Sequence, residues 1–468
     1  KLSKEKVYTT ASDEELKNRR ESFKSQSRQL DFSRINTVGI NTKQKEYVEK
    51  VVRSSNKGRI SLEQVKTGYY KLVADDNFET VYPRIKYDNE KDAYDFELEV
   101  QPEKNFKIDF GGAISIRPIS NAYLGLQYNY LRKKSYTFSA NFYIGGFYEA
   151  VQTTTRMDIP ARFPLYLEAE FTYNHWNYFN TSEIFIEKVK PTFIEQSDRR
   201  TVLKLGVPLS HNGKLEALAG YINFDNSYSP NQRFLFGDIM DFDSYNGFLT
   251  SLTFSKNSLN RRQYASSGSS LQIGINFYTG TEKYSPGNIL RAEEGFSKIT
   301  TDKEERNWFK AMVSREEYII HNEAYSLGYL AEAVISNKPG FSTYNATLLS
   351  APAFNPLQDS KSLYLEKFRA NTYAAIGLKN VFKLRKKLDA RAEAFIFQPW
   401  KEFELNQLQS VTYGQLFANT RMAATAGLVY HTIAGPLSLS LNHYSGEQKR
   451  FGVMFHMGFL IYNKRSFE

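Results

Sequence analysis

The 468-residue chain contains no cysteine, and this absence alone removes several kinds of chemistry. Without thiols there are no disulfide bonds, no thiolate ligands for a metal ion and no cysteine nucleophile. The six histidines also lack His-x-His or His-Glu-x-x-His spacing. We therefore expect neither a metal site nor another cofactor.

Long hydrophobic runs are missing as well. No stretch of about 18 uncharged apolar residues occurs, which excludes transmembrane helices. The chain opens Lys1-Leu2-Ser3-Lys4-Glu5, without the apolar segment of a signal peptide, so we expect the gene to begin upstream of Lys1. Nucleic acid is not an expected partner, because the 61 Lys and Arg residues are scattered and form no basic helix or ribbon.

Aromatic residues, in contrast, are abundant, with 32 Tyr and 35 Phe. Such side chains favour β-strands and populate the girdles of membrane β-barrels. From residue 105 onward apolar residues alternate with small or polar ones, as in Leu271–Phe277 and Phe451–Ile461. Alternation alone is compatible with a soluble sandwich as well as with a membrane barrel.

The lengths of the connections favour the barrel. Every second predicted connection is short, including Tyr178–Ser182, whereas the alternate ones include very long loops, which is the pattern of outer-membrane barrels. A soluble sandwich rarely reaches sixteen strands in one sheet. The predicted strands are 105–116, 121–131, 135–150, 165–177, 183–193, 199–209, 214–225, 245–256, 268–278, 306–320, 323–335, 371–381, 388–398, 421–432, 436–444 and 451–462.

The residues before the barrel divide into two parts. Residues 1–30 are polar, with a predicted helix over Asp13–Ser27, and we interpret them as a linker or the tail of an upstream domain. Residues 31–102 predict a small α/β domain of order β-α-α-β-β, in which Ser61 and Gln64 form a capping box. The predicted fold is thus mainly β, a 16-stranded antiparallel transmembrane barrel (103–468) in the bacterial outer membrane, with residues 1–102 in the periplasm.

A β-α-α-β-β unit joined to a sixteen-stranded barrel resembles the POTRA-plus-barrel superfamily of outer-membrane insertases and two-partner secretion transporters. The run 259–268 (Leu-Asn-Arg-Arg-Gln-Tyr-Ala-Ser-Ser-Gly) is similar to a periplasmic turn that typically reads Asn-Arg-Arg-x-aromatic-Pro-x-x-Gly there. Ala265 stands in the place of the proline. The resemblance assigns Asn260, Arg261, Arg262 and Gly268 to this turn.

The superfamily also has a long extracellular loop that enters the lumen and ends in an Arg-Gly-aromatic tip. Loop 336–370 corresponds to it, and its end reads Phe368-Arg369-Ala370-Asn371, so that only the arginine matches. We expect this loop to plug the pore. We also expect Arg369 to pair with Glu393 or Asp389 on the strand 388–398, because an unpaired charge in a partly dry lumen is costly.

A narrower resemblance covers most of the chain. The runs 110–115, 349–356, 368–375 and 391–399 are similar to the C-terminal half of patatin-like phospholipases of the Bacteroidetes type. In that family a hydrolase domain precedes one POTRA domain and this barrel. The resemblance implies that the chain anchors a lipid hydrolase encoded upstream. No catalytic residue is expected within 1–468, which contains no Gly-x-Ser-x-Gly.

Two alternatives remain open at this point. The chain could be an assembly or secretion factor whose seam between the first and last strands opens, although the altered loop tip favours the anchor. It could instead be a non-catalytic subunit of a larger outer-membrane complex. The expected partners are outer-membrane lipid and other outer-membrane or periplasmic proteins, bound through the POTRA domain or the long extracellular loops.

Overall fold

The computed structural model describes most of the chain and divides it into two compact units. One unit comprises residues 1–103, 131–133 and 160–162, and the other contains the rest. No helix in the described part is long and apolar enough to cross a membrane. The described residues are 13–26, 31–52, 60–73, 77–88, 93–160, 165–179, 192–210, 212–229, 237–288, 302–406, 409–447 and 451–467.

The N-terminal unit is a small α/β domain. Its four-stranded sheet has the order β2-β1-β4-β3, in which β1 and β4 run parallel. The predicted β-α-α-β-β order is found, with the two-residue β2 added. The elements are α1 (Asp13–Gln26), β1 (Asp31–Val38), α2 (Thr42–Val52), β2 (Ile60–Ser61), α3 (Leu62–Val73), β3 (Phe78–Asp88) and β4 (Ala93–Pro102).

Two local features fix the helices of this domain. The capping box is confirmed, because Ser61 Oγ accepts from the Gln64 N–H and Gln64 Oε1 accepts from the Ser61 N–H, both at 3.4 Å. Helices α2 and α3 approach closely at Gly68, where a Cβ atom would lie 2.4 Å from Val52 Cα. The helices therefore bury their apolar faces, including Val48, in the core of this domain.

The second unit contains a closed antiparallel barrel of sixteen strands, as predicted. A short hairpin, β18 (Lys401–Leu405) and β19 (Val411–Leu416), lies outside it. The barrel strands are β5 (Phe106–Ser115), β6 (Asn121–Leu131), β7 (Ser135–Gly145), β8 (Tyr148–Ile159), β9 (Leu165–Phe179), β10 (Thr192–Ser210), β11 (Gly213–Tyr228), β12 (Asp241–Asn257), β13 (Ser269–Ser285), β14 (Asp302–His321), β15 (Tyr325–Ser336), β16 (Tyr373–Arg385), β17 (Leu388–Pro399), β20 (Arg421–Thr432), β21 (Gly435–Tyr444) and β22 (Phe451–Gly458).

The alternation of the sequence separates the two faces of the wall. On β13 the side chains of Ile273, Ile275 and Phe277 are exposed on the outside, where the bilayer would meet them. On β17 Phe395 and Phe397 are fully buried, whereas Ile396 between them is exposed. Apolar residues thus cover the outside, and polar and aromatic residues fill the inside.

The predicted strands differ from the observed ones in three ways. The prediction 135–150 merges β7 and β8, which the two-residue turn 146–147 separates. The prediction 199–209 covers only part of β10, whereas the prediction 183–193 lies outside the described residues except for 192–193, which belong to β10. The two errors cancel in the count. They also misplaced the short turn Tyr178–Ser182, because Tyr178 lies within β9 and residues 180–182 lie outside the described part.

The third difference concerns the last strand, which was predicted to run to residue 462 and ends at Gly458. The alternation continues past this point, but Gly458 has φ +97° and redirects the backbone. A glycine inside a strand pattern is typical of a bend or of a close backbone approach. The residues that follow leave the wall and enter the lumen.

Candidate functional site

The seam between the first and last strands has a shorter ladder than the other described pairings of the wall. Strands β5 and β22 share three residue pairs, from Ala113↔Gly458 to Ser115↔His456. The flanking ladders are longer, with eight pairs between β5 and β6 and seven between β21 and β22. Residues 106–111 of β5 are therefore paired with β6 and lie outside the β5–β22 ladder, which the Phe459 N–H extends by donating to the Gly112 carbonyl oxygen at 3.1 Å.

Two glycines mark the point where this seam ladder ends. A Cβ atom on Gly458 would lie 2.0 Å from the carbonyl oxygen of Gly112. Gly112 itself has φ +141°, and a Cβ atom there would lie 2.3 Å from the carbonyl oxygen of Asn121. Larger residues at either position would force the strands apart. The seam geometry therefore depends on these glycines.

Residues 459–467, which we call the inner segment, cross the lumen to the far wall. Asn463 donates its backbone N–H to Tyr148 Oη at 2.9 Å, and the Ser466 N–H donates to Asp198 Oδ2 at 2.7 Å. The guanidinium of Arg465 stacks over Trp176, 4.4 Å from the ring centroid. The inner segment thus ties the seam strand β22 to β8, β9 and β10.

Phe467 anchors the inner segment in an aromatic pocket. Its ring centroid lies 4.8 Å from that of Phe224, and three more rings of the wall lie 5.5 to 5.6 Å away. Lys310 donates to the carbonyl oxygen of Phe467. The three other rings belong to Tyr245, Tyr278 and Trp308.

The connection 337–372, which we call the lumenal loop, also packs inside the barrel. It contains the short helix α4 (Tyr344–Ser350), whose N-cap Thr343 accepts from the Ala346 N–H. Near its end, Phe354 and Phe368 stack on Phe397 of β17 at centroid distances of 5.9 and 5.7 Å. The expected entry of this loop into the lumen is therefore observed.

The predicted periplasmic turn 258–268 folds inward and does not simply close a hairpin. Asn260 Oδ1 accepts from the backbone N–H groups of Ser266 and Ser267, which shapes the turn. Gly268 has φ +90°, and a Cβ atom there would lie 2.1 Å from the Ser258 carbonyl oxygen. Of the two arginines, Arg262 is exposed.

The turn, the lumenal loop and the inner segment meet at one residue. Gln263 donates through Nε2 to Gln358 Oε1 at 3.1 Å and to the carbonyl oxygen of Leu460 at 2.7 Å. Next to it, Tyr264 donates to Ser438 and hydrogen-bonds His456 on the seam strand. Three segments from different parts of the chain are thus joined inside the lumen.

The two predicted partners of Arg369, Glu393 and Asp389, form ion pairs with other residues. Glu393 pairs with Arg391 at 2.9 Å, and Asp389 pairs with Arg261 and His431 at 3.2 and 2.8 Å. Arg369 is buried and donates to the carbonyl oxygen of Leu348 at 3.0 Å.

This corrects the expected Arg369–Glu393 or Arg369–Asp389 contact. The aromatic stacking places the end of the lumenal loop at Phe397, whereas the two carboxylates lie four and eight residues earlier on β17. At about 3.3 Å per residue, they lie too far along the strand for Arg369 to reach.

Sequence reasoning missed Gln263, Tyr264, Asp359 and Phe467 as parts of the site. The contacts of each depend on segments more than ninety residues away in sequence. One signal was present, namely Gly458 inside an alternating run, which indicates a bend. Among the described residues, no group of three or more His, Asp or Glu side chains is arranged to hold a metal ion.

One carboxyl on the long-loop side is strongly perturbed. Burial raises the pKa of Glu447 to about 7, and the nearby Glu366 adds to the effect. A hydrogen bond from the Lys367 N–H and the charges of Lys367 and Arg369 act in the opposite direction. The neutral form of Glu447 is thus favoured where this side chain contacts the lumenal loop.

We predict that this contact weakens as the pH rises. The folded pKa lies above the usual value of about 4.3, so the stabilisation is complete below that value and is lost as the pH passes through about 7. Glu447→Gln should raise the melting temperature at pH 8 by a few degrees and leave it unchanged at pH 4. Glu404→Gln, an exposed glutamate on the β18–β19 hairpin, is the control and should show no such difference.

Comparison with solved structures identifies the fold. BamA from Haemophilus ducreyi lacking POTRA domains 1–3 matches with a TM-score of 0.61 at 13% identity, over 92% of this chain and 85% of that chain. CdiB from Acinetobacter baumannii (TM-score 0.52, 10% identity) covers 92% and 74%, and CdiB from Escherichia coli (0.51, 12%) covers 92% and 77%.

No protein-family model and no curated protein sequence matches the chain. At these identities the likeness concerns the fold, and the apolar outer face of the barrel agrees with it. The chain therefore has the fold of these outer-membrane proteins, a closed sixteen-stranded β-barrel preceded by a small α/β domain.

Proposed function

We propose that this chain assembles or exports other proteins at the outer membrane through the seam between β5 and β22. The observation that carries the proposal is the short ladder, which leaves residues 106–111 of β5 outside it. A strand edge of this kind is a template to which another chain adds by β-augmentation. BamA and CdiB, whose fold the chain shares, are assembly and secretion factors.

The surface around this edge supports the same function. Phe106, Ile108, Phe110 and Ile114 are all exposed on β5, and Phe110 retains 80% of its accessible surface. An incoming strand with alternating apolar residues would continue this outer face of the wall. Separating β5 from β22 breaks few main-chain hydrogen bonds, so the seam is the place where the wall opens at least cost.

A disulfide across the seam tests the proposal. Ile114 and Met457 are register partners. Because the chain has no native cysteine, two introduced thiols can form a disulfide within the chain only with each other. In Ile114→Cys/Met457→Cys, oxidation should lower the amount of client protein assembled or exported at least tenfold, and a reductant should restore it. The readout is the outer-membrane and secreted proteome of cells that depend on this chain.

A second pair serves as the matched control. Ile108→Cys/Leu126→Cys joins register partners on β5 and β6, where the ladder is long and is not expected to open. This disulfide should leave the yield of client proteins unchanged. If the oxidised seam pair also leaves the yield unchanged, the chain does not work by opening its seam.

An anchor for a lipid hydrolase is the second candidate. The runs similar to patatin-like phospholipases favour it, and the exposed side chains over 14–22 of α1 suit a linker to a further domain. A serine hydrolase motif encoded immediately before Lys1, together with phospholipid hydrolysis that persists in the oxidised seam variant, would support the anchor.

Partner proteins are part of either proposal. In the N-terminal domain β3 is an edge strand, and its side chains Tyr82, Ile85 and Tyr87 are exposed. A periplasmic protein could add a strand at this edge. Purification of the intact chain in a mild detergent, followed by native mass measurement, would reveal stoichiometric partners and thus membership of a larger complex.

A further inference from the structure

We infer that Asp359, on the lumenal loop, holds the seam closed from inside the barrel. Its carboxylate accepts hydrogen bonds from side chains on both flanks of the seam. Arg117, in the connection that follows β5, donates to Oδ2 at 3.1 Å. On β21, Asn442 donates to Oδ2 at 2.7 Å and Tyr444 to Oδ1 at 2.6 Å.

The path of Arg117 shows that the contact spans the seam strand. Gly452 on β22 is the register partner of Asn442. A Cβ atom on Gly452 would lie 2.4 Å from an Arg117 guanidinium nitrogen. The guanidinium therefore passes over the inner face of β22 at its glycine to reach Asp359. The cluster links β5 to β21 across β22.

Burial makes this cluster strong. Arg117 is 8% exposed and Asp359 is fully buried. Removal of one member of a buried ion pair leaves an uncompensated charge, which is costly. Hydrogen bonds to a charged group are also stronger than neutral ones. Main-chain pairing at the seam is limited to three residue pairs and one further hydrogen bond at each end of them, so Asp359 supplies a substantial part of its closure.

Because Asp359 lies on the lumenal loop, the position of this loop controls whether the seam is held closed. Its backbone is fixed by Ser362, whose N–H and Oγ both donate to the Asp359 carbonyl oxygen, at 2.9 and 2.7 Å. Displacement of the loop would withdraw the carboxylate and release both flanks together. This regulation rests on the proposed function, whereas the closure itself can be measured without any client protein.

The test uses the seam thiols in the purified full chain. In Ile114→Cys/Met457→Cys, Asp359→Asn should lower the rate of oxidative cross-linking about tenfold, because its amide group would face three donors. The rate of the Ile108→Cys/Leu126→Cys pair should stay unchanged. An unchanged seam rate in the folded barrel, or an equal loss at both pairs, would overturn the inference.

Two further variants distinguish the loss of the Asp359–Arg117 contact from a general loosening of the barrel. Gly452→Ala should displace the Arg117 guanidinium and lower the seam rate as Asp359→Asn does, and the double variant should add little, because both act on one contact. Glu170→Gln is the matched control, since Glu170 is a buried carboxylate that pairs with Arg200 and Lys204 away from the seam. The inference is contradicted if the effects of Gly452→Ala and Asp359→Asn on the cross-linking rate add in full. It is also contradicted if Glu170→Gln lowers this rate as much as they do.

Discussion

Phe467→Ala should destabilise the barrel by about 3–5 kcal/mol, the usual range for removal of a buried phenylalanine. The ring fills a pocket formed by four wall aromatics, and its loss leaves a cavity that rigid strands do not collapse to fill. The neighbouring contacts of Arg465 and Ser466 should weaken as the inner segment loses its anchor. The measurement is the temperature at which the folded, detergent-resistant barrel unfolds on electrophoresis.

Phe451→Ala is the control for this change. Phe451 lies on β22, where 57% of its surface is exposed on the outer face, so the same truncation removes no lumenal packing. It should cost less than 1 kcal/mol in a detergent micelle, by the general rule for exposed sites. Equal shifts for the two variants would show that the inner segment does not stabilise the barrel.

The second large effect is expected at Arg391, which holds the inward turn. Its guanidinium donates to the carbonyl oxygens of Tyr264 and Ala265 at 3.1 and 2.9 Å and pairs with Glu393. Arg391→Ala leaves Glu393 without this cation and two turn carbonyls without a donor, at a cost of about 3–5 kcal/mol. The turn should then withdraw from the lumen.

Two readouts check this result. The unfolding temperature should fall, and the conductance of the barrel in planar bilayers should rise several-fold, because the turn would no longer fill this part of the lumen. Arg315→Ala is the matched control, since Arg315 and Glu317 form an ion pair with the same spacing on the exposed face of β14. An exposed pair of this kind contributes little to stability, because water screens the two charges. Unchanged conductance in Arg391→Ala would contradict a plugging role for the turn.

The function favoured by the sequence and the one favoured by the structure differ. The altered tip Arg369-Ala370-Asn371 and the patatin-like runs favoured an anchor. The short seam is the basis of our proposal of an assembly or secretion factor. The tip motif was a weak guide, because Arg369 is held by backbone carbonyls of its own loop.

Particular residues show which parts of the fold were predictable. The strands β13 and β17 have strict alternation, and the structure places their predicted faces correctly. The turn 146–147 was missed because Gly145 and Gly146 interrupt the run without the usual polar turn residues. The strand 199–209 was predicted too short, because the polar residues Gln196 and Asp198 before it belong to β10, where they are buried inside the barrel.

The sequence by itself determined the architecture of this protein, because period-two alternation and the spacing of turns are local properties. These sufficed for a sixteen-stranded barrel and a preceding β-α-α-β-β domain. Only the tertiary structure decided what fills the lumen and where the wall is weak. The contacts of Gln263, Asp359 and Phe467 join segments that are distant in the chain, so no local pattern encodes them. The physical reason is that closure of the barrel brings together lumenal side chains that are far apart in the chain. Contacts of this kind leave no periodic pattern in the sequence.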